Sequence, residues 1–448
     1  MPYILNTGKD IKEMLEVIGV SSMEELYAQL PLKIKLNKLL NLPQGLSEQQ
    51  VRKAIEELAK KNITNYKFNS FLGAGCYDHY IPAALKPIIS RAEFLTAYTP
   101  YQAESSQGIL QAIYEYQTYI CLLTGMDASN ASLFDGASSL AESSLMALRL
   151  TQRKKILVSL ATHPEYRHTL KTYLSGRDFE IEEIGFDKNG LVDFNSLKTF
   201  VDNNTAGFAF QNPNFFGNIE NVEEICSISK EKGVMPILVN SPMSLALLKE
   251  PANQGVDIVC GDGQVLGGNL NFGGPSFGFL ATKNAFLRQL PGRIVGKTVD
   301  KEGKDAYCLT LQAREQHIRR EKATSNICSN QSLNAIAAAI YLSLMGKEGL
   351  REAALYSLNL THYLYGRLKE IGMIKFPFLA PFFNEFIWQV DNANKIINKL
   401  YKKNIIAGVC LERFYPQLKN CILSCCTEKK TKEEIDNFVD TLKEALRG

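Results

Sequence analysis

Four short segments of this 448-residue chain gather side chains able to do chemistry. In FLGAGCYDHY (71–80), Gly73 and Gly75 stand next to Asp78 and His79. Glycines there permit close backbone approach or positive φ, and the Asp–His pair reads either as an acid–base couple or as a structural histidine. In YTPYQAESSQG (98–108), Tyr98, Thr99, Tyr101 and Glu104 precede a helix start at about Gln107. A loop entering a helix faces the positive end of its dipole, where carboxylates and phosphates are held; the alternative is packed aromatics and a glutamate that caps. In REQHIRREK (314–322), Arg314, His317, Arg319, Arg320 and Lys322 lie among Glu315 and Glu321, forming either a carboxylate-binding cluster or a solvated, salt-bridged helix end. The fourth, 257–282, is a strand, a glycine-rich turn, Gly273-Gly274-Pro275 and a second strand. There is no lysine between Lys249 and Lys283, so this stretch offers no amine for a Schiff base. Gly261, Gly263 and Gly267 miss the dinucleotide spacing and no helix follows, which argues against a nicotinamide site.

The elements that must position these segments read as α/β. Apolar runs (131–134, 156–160, 207–210, 236–239, 257–260, 278–281) alternate with amphipathic stretches at 137–150 and 220–232. Continuous apolar strands spaced by helices signal a mostly parallel sheet covered on both faces. On that pattern Gly136-Ala137-Ser138-Ser139 opens a helix after a strand, offering N–H groups and hydroxyls to a phosphate, and 212–217 is a turn at another strand end, where ligands bind in such sheets. The expected organisation is an N-terminal helical arm (1–70), a large α/β domain (71–330) and a smaller α+β domain (331–448) containing strands at 386–390 and 421–425 and a last helix, 432–446. In the arm, Ser47 with Gln50 opens a helix as a capping box. PLKIKLNKLLNLPQGLSE mixes Lys33, Lys35 and Lys38 with leucines between prolines, which suits an arm packed on a neighbouring surface.

Composition removes other classes. With 50 basic and 47 acidic residues the net charge is +3, which gives no reason to expect nucleic acid. No run of about 18 apolar residues exists and the N-terminus lacks a signal-peptide pattern, so a cytoplasmic chain with no membrane span is expected. The ten cysteines are scattered; Cys421, Cys425 and Cys426 lack CxxC spacing and no histidine follows His362, so no metal site is expected.

Taken together, FLGAGCYDHYIPA, YTPYQAESSQG, QNPNFFGNIE, GDGQVLGG with NFGGPSFGFLAT, and REQHIRREKATSNICSNQSL resemble the two-subunit glycine decarboxylase (P-protein) family of the glycine cleavage system, in its subunit 1 branch. The resemblance implies a fold-type-I pyridoxal-phosphate transferase fold, mostly parallel in the large domain. It implies that a companion subunit 2 binds pyridoxal phosphate covalently, with Gln264 (beside Gly263) and Asn240 standing here at the lysine and aspartate positions. It further implies α2β2 assembly, decarboxylation of glycine and transfer of the aminomethyl group to the lipoyl group of H-protein. Tyr98, Thr99, Tyr101, Glu104, His317, Arg319 and Arg320 would then close the partner's pocket, with Gly73, Gly75, Gly273 and Gly274 shaping the turns around it. The competing readings are a stand-alone pyridoxal-phosphate decarboxylase or lyase, which the missing lysine opposes, and a purely structural or regulatory partner.

Overall fold

The computed structural model describes residues 5–36, 38–64, 67–325, 327 and 329–447. The chain divides into two units, Met1–Ile63 and Thr64–Gly448. The first carries helices α1 (Gly8–Ile18) and α2 (Glu48–Ala59), each opened by a capping box, Thr7 with Asp10 and Ser47 with Gln50. None of its described residues is buried, and Leu32, Leu39 and Leu42 are 80%, 95% and 71% exposed.

The second unit is organised by a seven-stranded sheet. Its strands in chain order are β1 (Ala128–Ser129), β2 (Lys155–Ser159), β3 (Glu180–Ile184), β4 (Thr205–Asn212), β5 (Met235–Asn240), β6 (Ile258–Asp262) and β7 (Gly278–Thr282). Their spatial order is β1-β7-β6-β5-β4-β2-β3, parallel from β3 to β6 and antiparallel at β7 and β1. Successive side chains of a strand point to opposite faces, so each apolar run feeds two cores. Phe208, Phe210 and Leu238 join one with Tyr116 and Ile120 of α3 (Gln107–Thr124), while Ala209, Ile237 and Val239 join the other with Leu140 and Leu145 of α4 (Gly136–Thr151). Burial on both faces is why these strands read as unbroken apolar sequence.

One expectation needs correction, and one strand was missed. Residues 131–134 are not a strand: only Leu133 bridges to Gly278, because Ser132 takes a φ of 136° and Asp135 at once caps α4. Strand β3 was not foreseen, since as an edge strand it alternates glutamates with isoleucines and is half-buried. A hairpin, β8 (Ile294–Val299) with β9 (Asp305–Thr310), follows the sheet.

Helix α5 (Ser332–Lys369) then runs from the sheet's core, through Ala335 and Ala338, to a C-terminal core through Leu364 and Leu368, interrupted at Gly346. That core is built on the antiparallel strands β10 (Glu385–Gln389), β11 (Val409–Cys410) and β12 (Cys421–Cys425), with helix α6 (Lys432–Arg447). Phe71 belongs to it, its ring tilted against that of Phe438 with centres 4.6 Å apart, which ties the start of the 71–80 segment to the C-terminal core.

Candidate functional site

The parallel strands end on one side of the sheet, where such folds bind ligands. There Gly75, Tyr77, His163, Tyr166, Gln211, Asn240, Ser241, Asp262 and Gln264 surround a cavity of only about 30 Å³. A single water needs roughly 10–15 Å³ of such space, so the cavity has room for two or three waters. The 71–80 segment lies across this edge. Gln264 clamps it: its amide oxygen accepts the Tyr77 N–H at 3.0 Å and its amide nitrogen donates to the Tyr77 carbonyl at 2.9 Å. Gly263 beside it has no room for a side chain, since a Cβ would stand 1.9 Å from the Phe277 ring.

Both predicted glycines of the segment are required, for different reasons. Gly75 has a φ of 98° against the His163 ring, and a Cβ on Gly73 would sit 2.0 Å from the Glu385 carboxylate. Glu385 accepts from the Ala74 N–H and from the Tyr77 hydroxyl at 3.1 Å. Burial pushes its carboxyl up to about 7 against the lowering effect of those two donors. The Asp78–His79 couple does not form. His79 Nδ1 instead meets Glu428 Oε2 at 2.7 Å, and Asp78 pairs with Lys429 at 2.6 Å. Burial would raise Glu428, yet the hydrogen bond and charge of His79 hold it below the usual carboxylate range. The 212–217 turn also folds inward: Phe215 and Phe216 are buried, and the Asn214 amide donates to Glu220 at 2.7 Å.

A phosphate-bearing cofactor does not fit this edge. The N-terminus of α4, where its phosphate would be received, already holds this chain's own carboxylates. Asp262 Oδ2 accepts the Gly136 N–H at 3.1 Å, while its Oδ1 accepts the Gln264 N–H at 2.9 Å and the Ser276 hydroxyl. Asp135 Oδ1 accepts the Ser138 N–H at 2.7 Å. Among the described residues, no lysine or arginine lines the cavity. Burial, then the neighbouring Asp135, raises the Asp262 carboxyl, and burial with Asp262 pushes the Cys76 thiol up to about 11. The surroundings thus disfavour anions. Asn240 is buried and donates to the Asn212 carbonyl, leaving its own oxygen without a hydrogen-bond partner among the described residues.

Some of the residues expected to close a pocket meet elsewhere. The Tyr101 and His317 rings pack edge to face at 5.7 Å. Between their segments lies Arg293, which donates to the Tyr101 hydroxyl at 3.0 Å. Gln107, at the start of α3, pins the same loop to β9 through both Tyr307 backbone groups, at 2.9 Å each. Thr99 accepts the Tyr101 N–H, and Tyr98 is 84% exposed. Glu104, Arg319 and Arg320 are exposed, Arg320 with a φ of 52°. Gly273 and Gly274 take φ of 100° and 145° in a loop that leaves Phe272 85% exposed. The sequence reading missed His163, Asp262, Arg293, Glu385 and Glu428. Asp262 was legible as the one acid inside a glycine turn at a strand end; Arg293 carries no local signal, because its partners lie far along the chain.

The pattern of one family, described as the glycine cleavage system P-protein, matches residues 1–442. A chain of Carboxydothermus hydrogenoformans described as probable glycine dehydrogenase (decarboxylating) subunit 1 is 52% identical over 99% of both chains. One of Thermotoga maritima with the same description is 46% identical, again over 99% of both. A crystal structure of a glycine decarboxylase (P-protein) of the glycine cleavage system, in inhibitor-bound form, is 41% identical with a TM-score of 0.91, covering 99% of this chain and 100% of that one. A sphingosine-1-phosphate lyase of Burkholderia pseudomallei, 15% identical over 92% of this chain and 93% of its own with a TM-score of 0.67, shares the fold.

Proposed function

The chain belongs to the glycine cleavage system P-protein family, and from that premise we propose that it is subunit 1 of a two-subunit glycine dehydrogenase (decarboxylating) working in the cytoplasm. A companion subunit 2 binds pyridoxal phosphate through its own lysine, and the cofactor there supplies the electron sink for loss of carbon dioxide from glycine. This chain contributes side chains that hold the substrate. The overall change releases carbon dioxide and joins the remaining aminomethyl group to one sulfur of the H-protein's lipoyl disulfide, so the glycine carbon is oxidised while the disulfide is reduced.

The observation that carries the reading is the narrow cradle: where a cofactor would need space, cations and an amine, this chain has a cavity of about 30 Å³, Asp262 and Gln264. A stand-alone cofactor enzyme built this way has nowhere to hold its cofactor. Tyr101, Glu104, His317, Arg319 and Arg320 remain exposed polar groups on two neighbouring segments, suited to meeting a small carboxylate at a subunit interface. The leucine-rich arm supports obligate pairing, for which interfaces run to about 2,000 Å² or more. We assign α2β2 as the assembly. The test is reconstitution: glycine–bicarbonate carbon exchange should require both subunits, and exchange by either one alone would overturn the proposal.

A further inference from the structure

We propose that Arg293 is a positioning residue of the composite site: with Glu315 as its buried counter-charge, it holds the Tyr101 hydroxyl as a hydrogen-bond donor beside His317. The inference rests on the reading that segments 98–104 and 314–322 face the partner's substrate.

Arg293 stands just before β8 with its side chain 9% exposed, and Glu315 is nearly as enclosed at 11%. A buried guanidinium costs several kcal/mol unless it is paired and hydrogen-bonded. Its placement here is therefore specific. Its Nε lies 3.8 Å from Glu315 Oε2, its Nη2 donates to the Tyr101 hydroxyl at 3.0 Å, and its carbon sits 5.2 Å from the Tyr101 ring centre. The same Glu315 oxygen lies 3.6 Å from His317 Nδ1. Three segments distant in sequence are thus joined through one cation.

A guanidinium can only donate hydrogen bonds, so the Tyr101 oxygen accepts and its own proton is free to point away from Arg293. Tyr101 is 48% exposed, which puts that proton within reach of a docked molecule. The complementary ligand group is a carboxylate, as on a small amino acid. The Glu315–His317 contact meanwhile keeps the imidazole beside the phenol. Arg293 touches no ligand in this arrangement and acts through Tyr101.

The test uses complexes of subunit 2 with this chain carrying Arg293→Ala, Arg293→Lys, Tyr101→Phe, or Arg293→Ala with Tyr101→Phe, matched for assembly and cofactor content. Arg293→Ala should lower kcat/KM for glycine in the exchange reaction by about thirty-fold or more. The double variant should be little worse than Tyr101→Phe, since both remove one unit. Guanidinium ion should restore part of the Arg293→Ala loss and none of the Tyr101→Phe loss, which a merely structural arginine would not produce. Losses that multiply in the double variant, or wild-type exchange in assembled Arg293→Ala, would overturn the inference. Should Arg293→Ala not assemble, Arg293→Lys decides: it keeps the charge but not the fork, and undiminished exchange would overturn the inference as well. If Tyr101→Phe itself leaves exchange unchanged, the underlying reading of the 98–104 segment fails too.

Discussion

Glu385 shows how one buried side chain can set a pH dependence for the whole fold. Its carboxyl titrates near 7 in the folded chain, and so does that of Glu220, where burial outweighs the Asn214 amide and the Val192 N–H. An unfolded glutamate titrates at about 4.3. The folded state therefore holds the extra protons, and their stabilisation is complete below about pH 4.3 and lost as the pH rises toward 7. Each group accounts for ~4 kcal/mol at most, from about 1.4 kcal/mol per unit. Thermal denaturation between pH 5 and about 8 should show this decline, and Glu385→Gln, which keeps the volume and an acceptor for Ala74, should flatten its share. An unchanged slope in that variant would remove Glu385 from the account. The exposed residues proposed to close the partner's pocket are tested by rate. Glu104→Gln and Arg320→Ala, assembled with unaltered subunit 2, should each lose about thirty- to a thousand-fold in glycine–bicarbonate exchange, the ~2–4 kcal/mol of a charged group that orients a substrate. Near-normal exchange in both would leave them as surface charges.

At the scale of elements, the N-terminus of α4 carries the sharpest consequence. Sixteen aligned peptides end where Asp262 and Asp135 accept their N–H groups. Carboxylates there satisfy the same dipole that a bound phosphate would. Asp262→Ala should lower the melting temperature, because it strips partners from Gly136, Gln264 and Ser276. Inorganic phosphate should then raise the melting temperature of the variant and leave that of the natural chain unchanged; an equal response in both would show that the cradle is not closed by this carboxylate. These elements also show how far sequence carries. The doubly buried runs of β2, β4, β5 and β6 were legible because both faces are apolar, and α4 because 137–150 reads as an amphipathic stretch after an apolar run. Edge strand β3 was not, since its glutamates hide the pattern. At the site, the glycines and aromatics could be picked out by type, and His79 was left open between a couple with Asp78 and a structural role, of which the second holds. Its partner Glu428 lies 349 positions away, a separation no local spacing encodes.

On the scale of the whole molecule, the chain has the P-protein fold with a narrow cavity of about 30 Å³ at its strand ends. The arm presents Leu32, Leu39 and Leu42 almost fully to solvent. Glutamate at all three should leave the melting temperature of the isolated chain unchanged while weakening pairing with subunit 2 by about a hundredfold or more, since truncating an energetically important interface residue costs more than about 1 kcal/mol. Undiminished pairing would place the interface elsewhere. The division of labour itself is tested most directly by reducing the assembled, cofactor-loaded complex with borohydride and locating the pyridoxyl mass by peptide sequencing. The label should appear on a lysine of subunit 2, with none on this chain either alone or in the complex. A pyridoxyl-lysine in this chain would contradict the account.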